Sequence, residues 1–233
     1  MSFGLLRYRL IEEKAQTGVF LTALGFGMGN YKDSTLEKLA DKGNGNYAYI
    51  DTINEARKVL VEQMNGTLVT VAKDVKIQIE FNPAAVNAYR LIGYENRVLR
   101  HEDFNDDRKD AGDMGAGHTV TALFEVVPEA SSNGELSHLK IRYKEPEGNT
   151  SRLLEMPVFN QAESFNEASP DFRFASAVAS FGMILRDSPH KANSTLDAVL
   201  QTAENSKGAD IHAYREEFVE LVRKARDLKP VSK

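Results

Sequence analysis

The chain has 233 residues, of which 42% are hydrophobic and 27% are charged, values that are typical of a globular protein with one or two domains and argue against extended disorder. The absence of cysteine excludes disulfides, thiolate metal sites and a cysteine nucleophile. A net charge of -5 with interspersed signs gives no support for nucleic-acid binding, and no apolar run reaches the roughly 18 residues that a membrane helix needs.

The beginning of the chain follows the pattern of a parallel crossover unit, in which a helix connects two strands that run in the same direction. The predicted elements are a strand at Val19–Leu24, a helix from Ser34 to Ala40, a strand at Tyr47–Ile50 and a helix at Asn54–Met64. A parallel sheet has to be covered on both faces, and two strands with two or three helices bury little apolar area. We therefore expect further structure to continue this sheet.

Three glycines, Gly25, Gly27 and Gly29, follow the first predicted strand and precede the first predicted helix. A strand, a glycine-rich turn and a helix can cradle the phosphates of a dinucleotide. Here the spacing is GxGxG without the more distant third glycine, and no strand-helix unit precedes it. The glycines are therefore predicted to form a tight turn, and no cofactor is expected.

After Gly66 the hydrophobic period changes from helical to alternating, which predicts a domain boundary between residues 1–66 and 67–233. Five short strands are predicted in the β-rich part, residues 67–160, and they are Val75–Phe81, Asn87–Tyr94, His118–Val127, Leu136–Glu145 and Arg152–Val158. Each strand has one polar face, which favours an antiparallel β-sandwich-like domain or a sheet covered by helices.

The fourth of these strands carries a basic face, formed by Lys140, Arg142 and Lys144. Because they alternate with apolar residues, these cations are predicted to lie on the solvent side of the strand. The alternative is that they meet an acidic partner.

The pattern becomes helical again in residues 161–233, which predicts a C-terminal helical layer and an α+β fold for the whole chain. The segment Ser169–Asp171 has the signature of a helix start. Two further helices are predicted at Ser194–Ser206 and Asp210–Leu228. The apolar stripe of the first helix consists of Phe174, Val178, Phe181 and Leu185. The aromatic residues Phe172, Phe174 and Phe181 are expected to pack against the sheet, and the alternative is that they bind a partner.

The segment Glu102–Asp113, called the acidic loop below, is the strongest local candidate for an ion site. The spacing of Asp103, Asn105 and Asp107 is that of a calcium-binding loop. However, Arg108 stands where that loop requires glycine and Met114 where it requires a bidentate glutamate. The sequence therefore predicts a solvated loop and no metal. If the loop held an ion, the candidate ligands are Asp103, Asp107, Asp113 and the nearby His118. We expect His118 instead to be a structural anchor bonded to the loop.

No catalytic set emerges from the sequence. The serines lie in turns without the context of a nucleophile elbow, and the five histidines lack the HExxH or a similar spacing. The chain is therefore not expected to be an enzyme.

Several stretches resemble a known family. GFG after a strand, followed by LEKLADKGNGNYAYID, resembles the last two strands of a von Willebrand factor type A domain. Three later stretches resemble a C-terminal extension found on bacterial members of that family, and they read AKDVKIQIEFNPAAVNAYRLIGYENRVL, DAGDMGAGHTVTALFEVVP and FRFASAVASFGMILRDS. The resemblance implies that residues 1–66 are the C-terminal part of a Rossmann-like type A domain and that residues 67–233 form a family-specific domain.

Type A domains bind a divalent cation at a metal-ion-dependent adhesion site, through a DxSxS loop, a threonine and an aspartate contributed by earlier parts of the domain. This chain contains no DxSxS sequence. We therefore expect those ligands to lie upstream of Met1, and the chain itself to lack this metal site, because hard cations need several oxygen ligands from separate loops.

The resemblance implies a non-enzymatic protein-interaction or structural module of a bacterial protein, with the cell envelope, as a periplasmic protein or a lipoprotein, as the expected compartment of full-length members. Two alternatives stay open. One is a scaffold that supports a metal-dependent type A domain in the full-length protein, and the other is a carbohydrate-binding or hydrolytic β domain.

The incomplete parallel sheet has a further consequence for partners. One edge of the predicted strand Val19–Leu24 is left open, and exposed strand edges invite pairing with another chain. We expect either self-association through this edge or its protection by the N-terminal segment Phe3–Lys14.

Overall fold

Parallel and antiparallel strands occur in different parts of this chain. The computed structural model describes residues 3–15, 17, 19–27, 33–64, 66, 69–94, 98–129, 134–161 and 164–228. The helices are α1 (Phe3–Ala15), α2 (Asp33–Lys42), α3 (Ile53–Arg57), α4 (Pro170–Leu185), α5 (Leu196–Asn205) and α6 (Tyr214–Leu228). The strands are β1 (Ala23–Phe26), β2 (Tyr47–Ile50), β3 (Thr70–Phe81), β4 (Val86–Ile92), β5 (Gly112–Gly115), β6 (Leu123–Pro128), β7 (Glu135–Lys144) and β8 (Ser151–Phe159). The predicted α+β class is confirmed.

The chain divides into two compact units that do not follow chain order. The first unit contains residues 1–82, 97–121 and 135–158, and the second contains residues 83–96, 122–134 and 159–233. The domain boundary after residue 66 stays a prediction.

In the first unit, β1 and β2 form a parallel pair, with Ala23 opposite Tyr47 and Phe26 opposite Ile50. The predicted strand Val19–Leu24 was wrong in its position, since pairing begins at Ala23. The preceding residues run instead beside the turn after α2, where the Leu21 amide donates to the Gly43 carbonyl at 2.9 Å.

Two residues of that turn explain its course. Asn44 has a φ of 48°, in the left-handed region that commonly ends a helix. A Cβ at Gly45 would lie 1.9 Å from the Leu21 carbonyl oxygen, so only glycine allows this close approach.

The predicted helix Asn54–Met64 is α-helical only over α3. Thr52 caps it by accepting a hydrogen bond from the Glu55 amide at 3.2 Å. The chain continues as a π-helix at Lys58–Glu62, whose wider turn was not predicted.

Four strands of the first unit form a sheet in the order β5-β3-β7-β8. β3 pairs antiparallel with both β5 and β7. On one face of the sheet, Gln78 lies opposite Lys140 and Lys76 lies opposite Arg142. β5 was not predicted, because its four residues GDMG contain one large apolar side chain and no alternation that marks a strand.

In the second unit, β4 and β6 form a separate antiparallel pair, with Leu91 opposite Phe124. The predicted strand His118–Val127 was therefore wrong at its start, since β6 begins at Leu123. The antiparallel strands do not form one sheet, because they divide between the two units.

Helices α4, α5 and α6 of the second unit enclose a core, which consists of Ala177, Phe181, Ile184, Leu196, Val199, Leu200, Ala203, Val219 and Val222. Phe174 and Phe181 each contact the ring of Phe218 edge-on. The predicted helix start is confirmed, because the Ser169 hydroxyl accepts from the Phe172 amide at 3.2 Å. The predicted stripe was wrong at Val178 and Leu185, and the packing expected of Phe172 was also wrong, since all three side chains are exposed.

Candidate functional site

The acidic loop lies on the basic face of the four-stranded sheet. Lys76 of β3 is only 2% exposed, and its ammonium group donates to the carbonyl oxygens of Asp103 at 3.3 Å and Asp106 at 2.6 Å. These carbonyls come from a 3-10 turn at His101–Asn105 and the residue after it. A buried cation is costly unless polar groups surround it, so Lys76 fixes this part of the loop to the sheet.

Asp107 anchors the first half of the loop, residues 102–107, which is called the cation-held end below. Its Oδ1 accepts hydrogen bonds from Arg142 Nη2 at 2.8 Å and from the Ser151 hydroxyl at 2.5 Å. Its carbonyl oxygen accepts from Lys144 Nζ at 2.9 Å. The hydrogen bond from Ser151, followed by that from Arg142, lowers the pKa of Asp107 to about 2.

The prediction that Lys140, Arg142 and Lys144 face solvent was therefore wrong. Their side chains are only 24%, 20% and 13% exposed, respectively. The alternative of an acidic partner describes them better, and the partners lie in the same chain. Lys140 pairs with Glu80 at 2.9 Å, and Arg142 and Lys144 bind the acidic loop.

The neighbouring carboxylates of the loop have local partners. Asp106 Oδ1 accepts from Arg108 Nε at 2.9 Å, and this hydrogen bond is the first cause that lowers the pKa of Asp106 to about 2. Asp103 lies 3.4 Å from Lys109 Nζ. Both pairs use charges within the loop itself, so these carboxylates are neutralised locally.

Asp74 of β3 fastens the other end of the loop, and sequence reasoning missed it. Its φ is 50°, and β3 shifts register at this position against both β5 and β7. Asp74 Oδ1 accepts from the Ala111 amide at 3.2 Å, and Oδ2 accepts from Lys144 Nζ at 2.5 Å. The Asp74 amide donates to Asp113 Oδ1 at 3.1 Å. A lone aspartate that interrupts strand alternation is the one local signal for this bulge.

The charges of three carboxyl groups, those of Asp74, Asp110 and Asp113, interact at this end of the loop. Desolvation of the carboxyl group raises the pKa of Asp110 to about 6, together with the charge of Asp74 and a hydrogen bond with Asp74. Asp110 as a whole residue is nevertheless exposed. Burial is also the main cause that raises the pKa of Asp113, whose Oδ2 is buried and has no hydrogen-bond partner among the described residues.

The four residues weighed as ion ligands are thus not brought to one point. Asp103, Asp107 and Asp113 have separate protein partners, as described above. His118 is exposed in the turn after β5, and its side chain makes no hydrogen bond to the acidic loop in the part of the chain that is described. The anchor expected of His118 is supplied by Asp74. Among the described residues, no three His, Asp or Glu side chains are arranged to hold a metal ion.

The chemistry open to this arrangement is limited by its pKa values. Ser151 and Asp107 are in contact, but a carboxylate with a pKa of about 2 is a weak base at neutral pH and cannot activate a hydroxyl efficiently. Asp107 is engaged in holding the loop to the sheet, and Asp103 and Asp106 pair with cations of the loop itself.

Comparison with known proteins places the chain in a family. Residues 66–137 and 129–228 match the family model described as the C-terminal region of the uncharacterized protein YfbK. The chain belongs to this YfbK C-terminal family. The matched segments contain the acidic loop, the four-stranded sheet and helices α4, α5 and α6.

One curated relative carries the same family name. The chain is 42% identical to the uncharacterized protein YfbK of Escherichia coli (strain K12). The alignment extends over 242 residues, gaps included, and covers 96% of this chain. The chain spans only 42% of the length of that relative. No solved structure matches the chain. Within the residues described for this YfbK family member, no helix is long and apolar enough to cross a membrane.

Proposed function

We propose that this chain is a non-enzymatic protein-interaction or structural module of a bacterial, envelope-associated von Willebrand factor type A protein, and that residues 1–66 are the end of its type A domain. The strand-helix-strand crossover from β1 through α2 to β2 supports this proposal, because it is the unit from which parallel α/β sheets are built. The 42% identity to a bacterial relative more than twice as long is consistent with a module of a larger protein.

The observation that carries the interaction role is the open edge of β1. Among the described residues β1 pairs with β2 alone, and a sheet of two strands is too small to be stable without support. Phe26 at the end of β1 is 61% exposed. The free hydrogen-bonding groups of such an edge are a template for a strand from another chain.

The N-terminal helix has a different neighbour. In α1, Glu12 forms an ion pair of 2.7 Å with Lys42 at the end of α2. This contact leads us to favour self-association through the β1 edge, now Ala23–Phe26, over protection by the segment Phe3–Lys14.

A non-enzymatic role is supported by the ion pairs between the acidic loop and the basic face, because they occupy charged groups that a catalyst would need. The acidic loop and the basic face neutralise each other, and the Ser151–Asp107 contact lacks a competent base. Carboxylates that bind a sugar are usually accompanied by aromatic stacking partners, whereas the described partners of Asp74 and Asp113 are lysines and backbone amides.

Light scattering of the full chain at micromolar and submillimolar concentrations tests the proposal. We expect the mass of the wild type to increase with concentration and that of Phe26→Lys to stay at the monomer, because a charge on an exposed strand edge blocks pairing. The matched control is Ile211→Lys, which places the same charge at an apolar residue that is 87% exposed in the second unit. A wild type that is monomeric throughout, or a control that dissociates as readily as Phe26→Lys, would contradict the proposal.

A calorimetric titration tests the metal side of the proposal. Because the chain contains no DxSxS sequence, we expect no heat of binding from Mg²⁺ or Ca²⁺ at millimolar concentration. Saturable binding with micromolar affinity would refute the claim that the adhesion-type ligands lie outside this chain.

A further inference from the structure

The four-stranded sheet has an open edge at β8. Among the described residues β8 pairs with β7 alone, and six successive residues of it, 152–157, are exposed. A strand with one covered face alternates between buried and exposed side chains, so neither face of this stretch is covered by described residues. Leu154 and Met156 are 56% and 55% exposed. An edge with large exposed apolar side chains is a template for another strand.

Pro157 limits the length of a strand that can pair with this edge. Proline has no amide hydrogen to donate to a strand ladder, and within sheets it is found on edge strands. The stretch before it, residues 151–156 and called the β8 edge below, therefore accepts a short strand. β1 contains only four residues, Ala23–Phe26, and fits within this length.

The two-stranded sheet of β1 and β2 needs additional strands, because two strands alone are marginally stable. Pairing of two β1 edges would produce a sheet of only four strands, two from each copy. Pairing of β1 with the β8 edge of a second copy would join two strands to four, so β1 gains the larger neighbour. Sheets that combine parallel and antiparallel pairs are common among large sheets.

Charge separates this pairing from the pairing of two β8 edges. The β8 edge carries Arg152 and Glu155. Antiparallel pairing of two such edges, centred on any residue from 152 to 156, would place two Arg152 or two Glu155 side chains directly or diagonally opposite, and like charges destabilise a strand pair. The sequence between Lys14 and Lys32, which contains β1, has no charged residue. The β1 edge therefore meets the β8 edge without repulsion.

Given the self-association proposed above, we propose that the β1 edge of one copy pairs with the β8 edge of a second copy. This contact rests on the proposed function and assigns the surface that β1 recognises. The two edges differ, so the contact is head-to-tail, and each copy keeps one open edge for the next. Exposed apolar surface of Phe26 in one copy, and of Leu154 and Met156 in the other, is reduced by this pairing.

A mixture of two variants tests this pairing by light scattering. Phe26→Lys blocks the β1 edge and leaves the β8 edge intact, whereas Leu154→Lys does the reverse. We expect each variant alone to be monomeric. An equimolar mixture at submillimolar concentration should reach twice the monomer mass and no more, because one intact edge of each kind remains. The control Ile211→Lys keeps both edges, so its mass should increase with concentration as that of the wild type does.

The outcomes separate the β8 edge from the proposed self-association. If Leu154→Lys associates as the wild type does while Phe26→Lys stays monomeric, the β8 contact is overturned and self-association through β1 remains. A mixture that stays monomeric would also overturn the β8 contact. A wild type that is monomeric at every concentration would remove the proposed self-association itself and this pairing with it.

Amide hydrogen exchange in the wild type gives a second measurement, which decides the question if Leu154→Lys does not fold. Between micromolar and submillimolar concentrations, we expect exchange to slow several-fold at amides in both β1 and the β8 edge. Exchange should stay constant at Ile184 in the helical core. Slower exchange confined to β1 would overturn the contact with β8.

Discussion

The two ends of the acidic loop contain the same side chain in opposite electrostatic states. Asp107, within reach of Arg142 and the Ser151 hydroxyl, has its pKa lowered to about 2. Asp110, three residues later, has its pKa raised to about 6 by desolvation and by the charge of Asp74. Local sequence does not distinguish them, since both lie in one acidic run. The difference shows that the partners brought by distant strands, not the loop itself, decide which carboxyl group is charged.

The comparison also separates the pH ranges in which the two ends contribute. The lowered pKa of Asp107 means that its contribution is present above pH 3.8 and is lost as the pH falls towards 2. The contribution of Asp110 is present at low pH and is lost as the pH rises through about 6. We therefore expect the loop to be held most firmly at mildly acidic pH.

Replacement of the buried Lys76 should lower the free energy of unfolding more than any other substitution considered below. In Lys76→Met, the carbonyl oxygens of Asp103 and Asp106 lose their donor inside the protein, so we expect the free energy of unfolding to fall by about 2 to 4 kcal/mol. Urea unfolding at pH 7 measures it, with the exposed Lys224→Met as the control. A fall no larger than that of the control would show that Lys76 does not hold the loop.

Lys144 contacts both ends of the loop, so its replacement sharpens the comparison. Lys144→Met removes the ion pair with Asp74 and the hydrogen bond to the Asp107 carbonyl, and we expect a loss of about 2 kcal/mol. It should also raise the pKa of Asp113 further, because the charge of Lys144 opposes the effect of burial there. A carboxyl titration in which the pKa of Asp113 stays unchanged would contradict the shared role of Lys144.

The pattern of the sequence was sufficient for the parts of the fold that depend on local periodicity. The alternation in β3 and β7, and the cap at Ser169, correspond to elements that form over a few successive residues. The register of β1 was not predictable in this way, because apolar residues from Val19 onwards do not reveal which of them pair with β2.

The site depended on contacts that no local signal contains. The basic face was recognised, but its burial requires the acidic loop to fold back from about 35 residues earlier in the chain, as in the Arg142–Asp107 contact. Asp74 meets Asp113 only because β3 pairs with a strand as short as β5. The one local indication was Asp74 itself, an aspartate that interrupts the alternation of β3, and a search for alternating residues does not detect a bulge.

A smaller effect is expected at the cation-held end. Asp107→Asn keeps the size of the side chain but weakens the contacts to Arg142 and Ser151, and we expect a loss of about 1 kcal/mol after solvent screening. The variant should also lose part of the decrease in stability that the wild type shows between pH 4 and 2. An acid-unfolding curve identical to that of the wild type would indicate that Asp107 is not a charged anchor.

The smallest effect is expected at His118. Because its side chain is exposed and makes no hydrogen bond to the loop within the described residues, His118→Ala should change the free energy of unfolding by less than about 0.5 kcal/mol. Thermal unfolding at pH 7 measures this difference. A loss above about 1 kcal/mol would restore the anchor role that the sequence alone predicted.

A carboxyl titration by NMR tests the contrast between the two ends of the loop most directly. With the aspartate carboxyl carbons of the folded wild type followed from pH 3 to 8, we expect Asp107 to remain ionised throughout and Asp110 to titrate with a midpoint near pH 6. Midpoints near the ordinary value of 3.8 for both residues would contradict the claim that distant strands set opposite charge states within one loop.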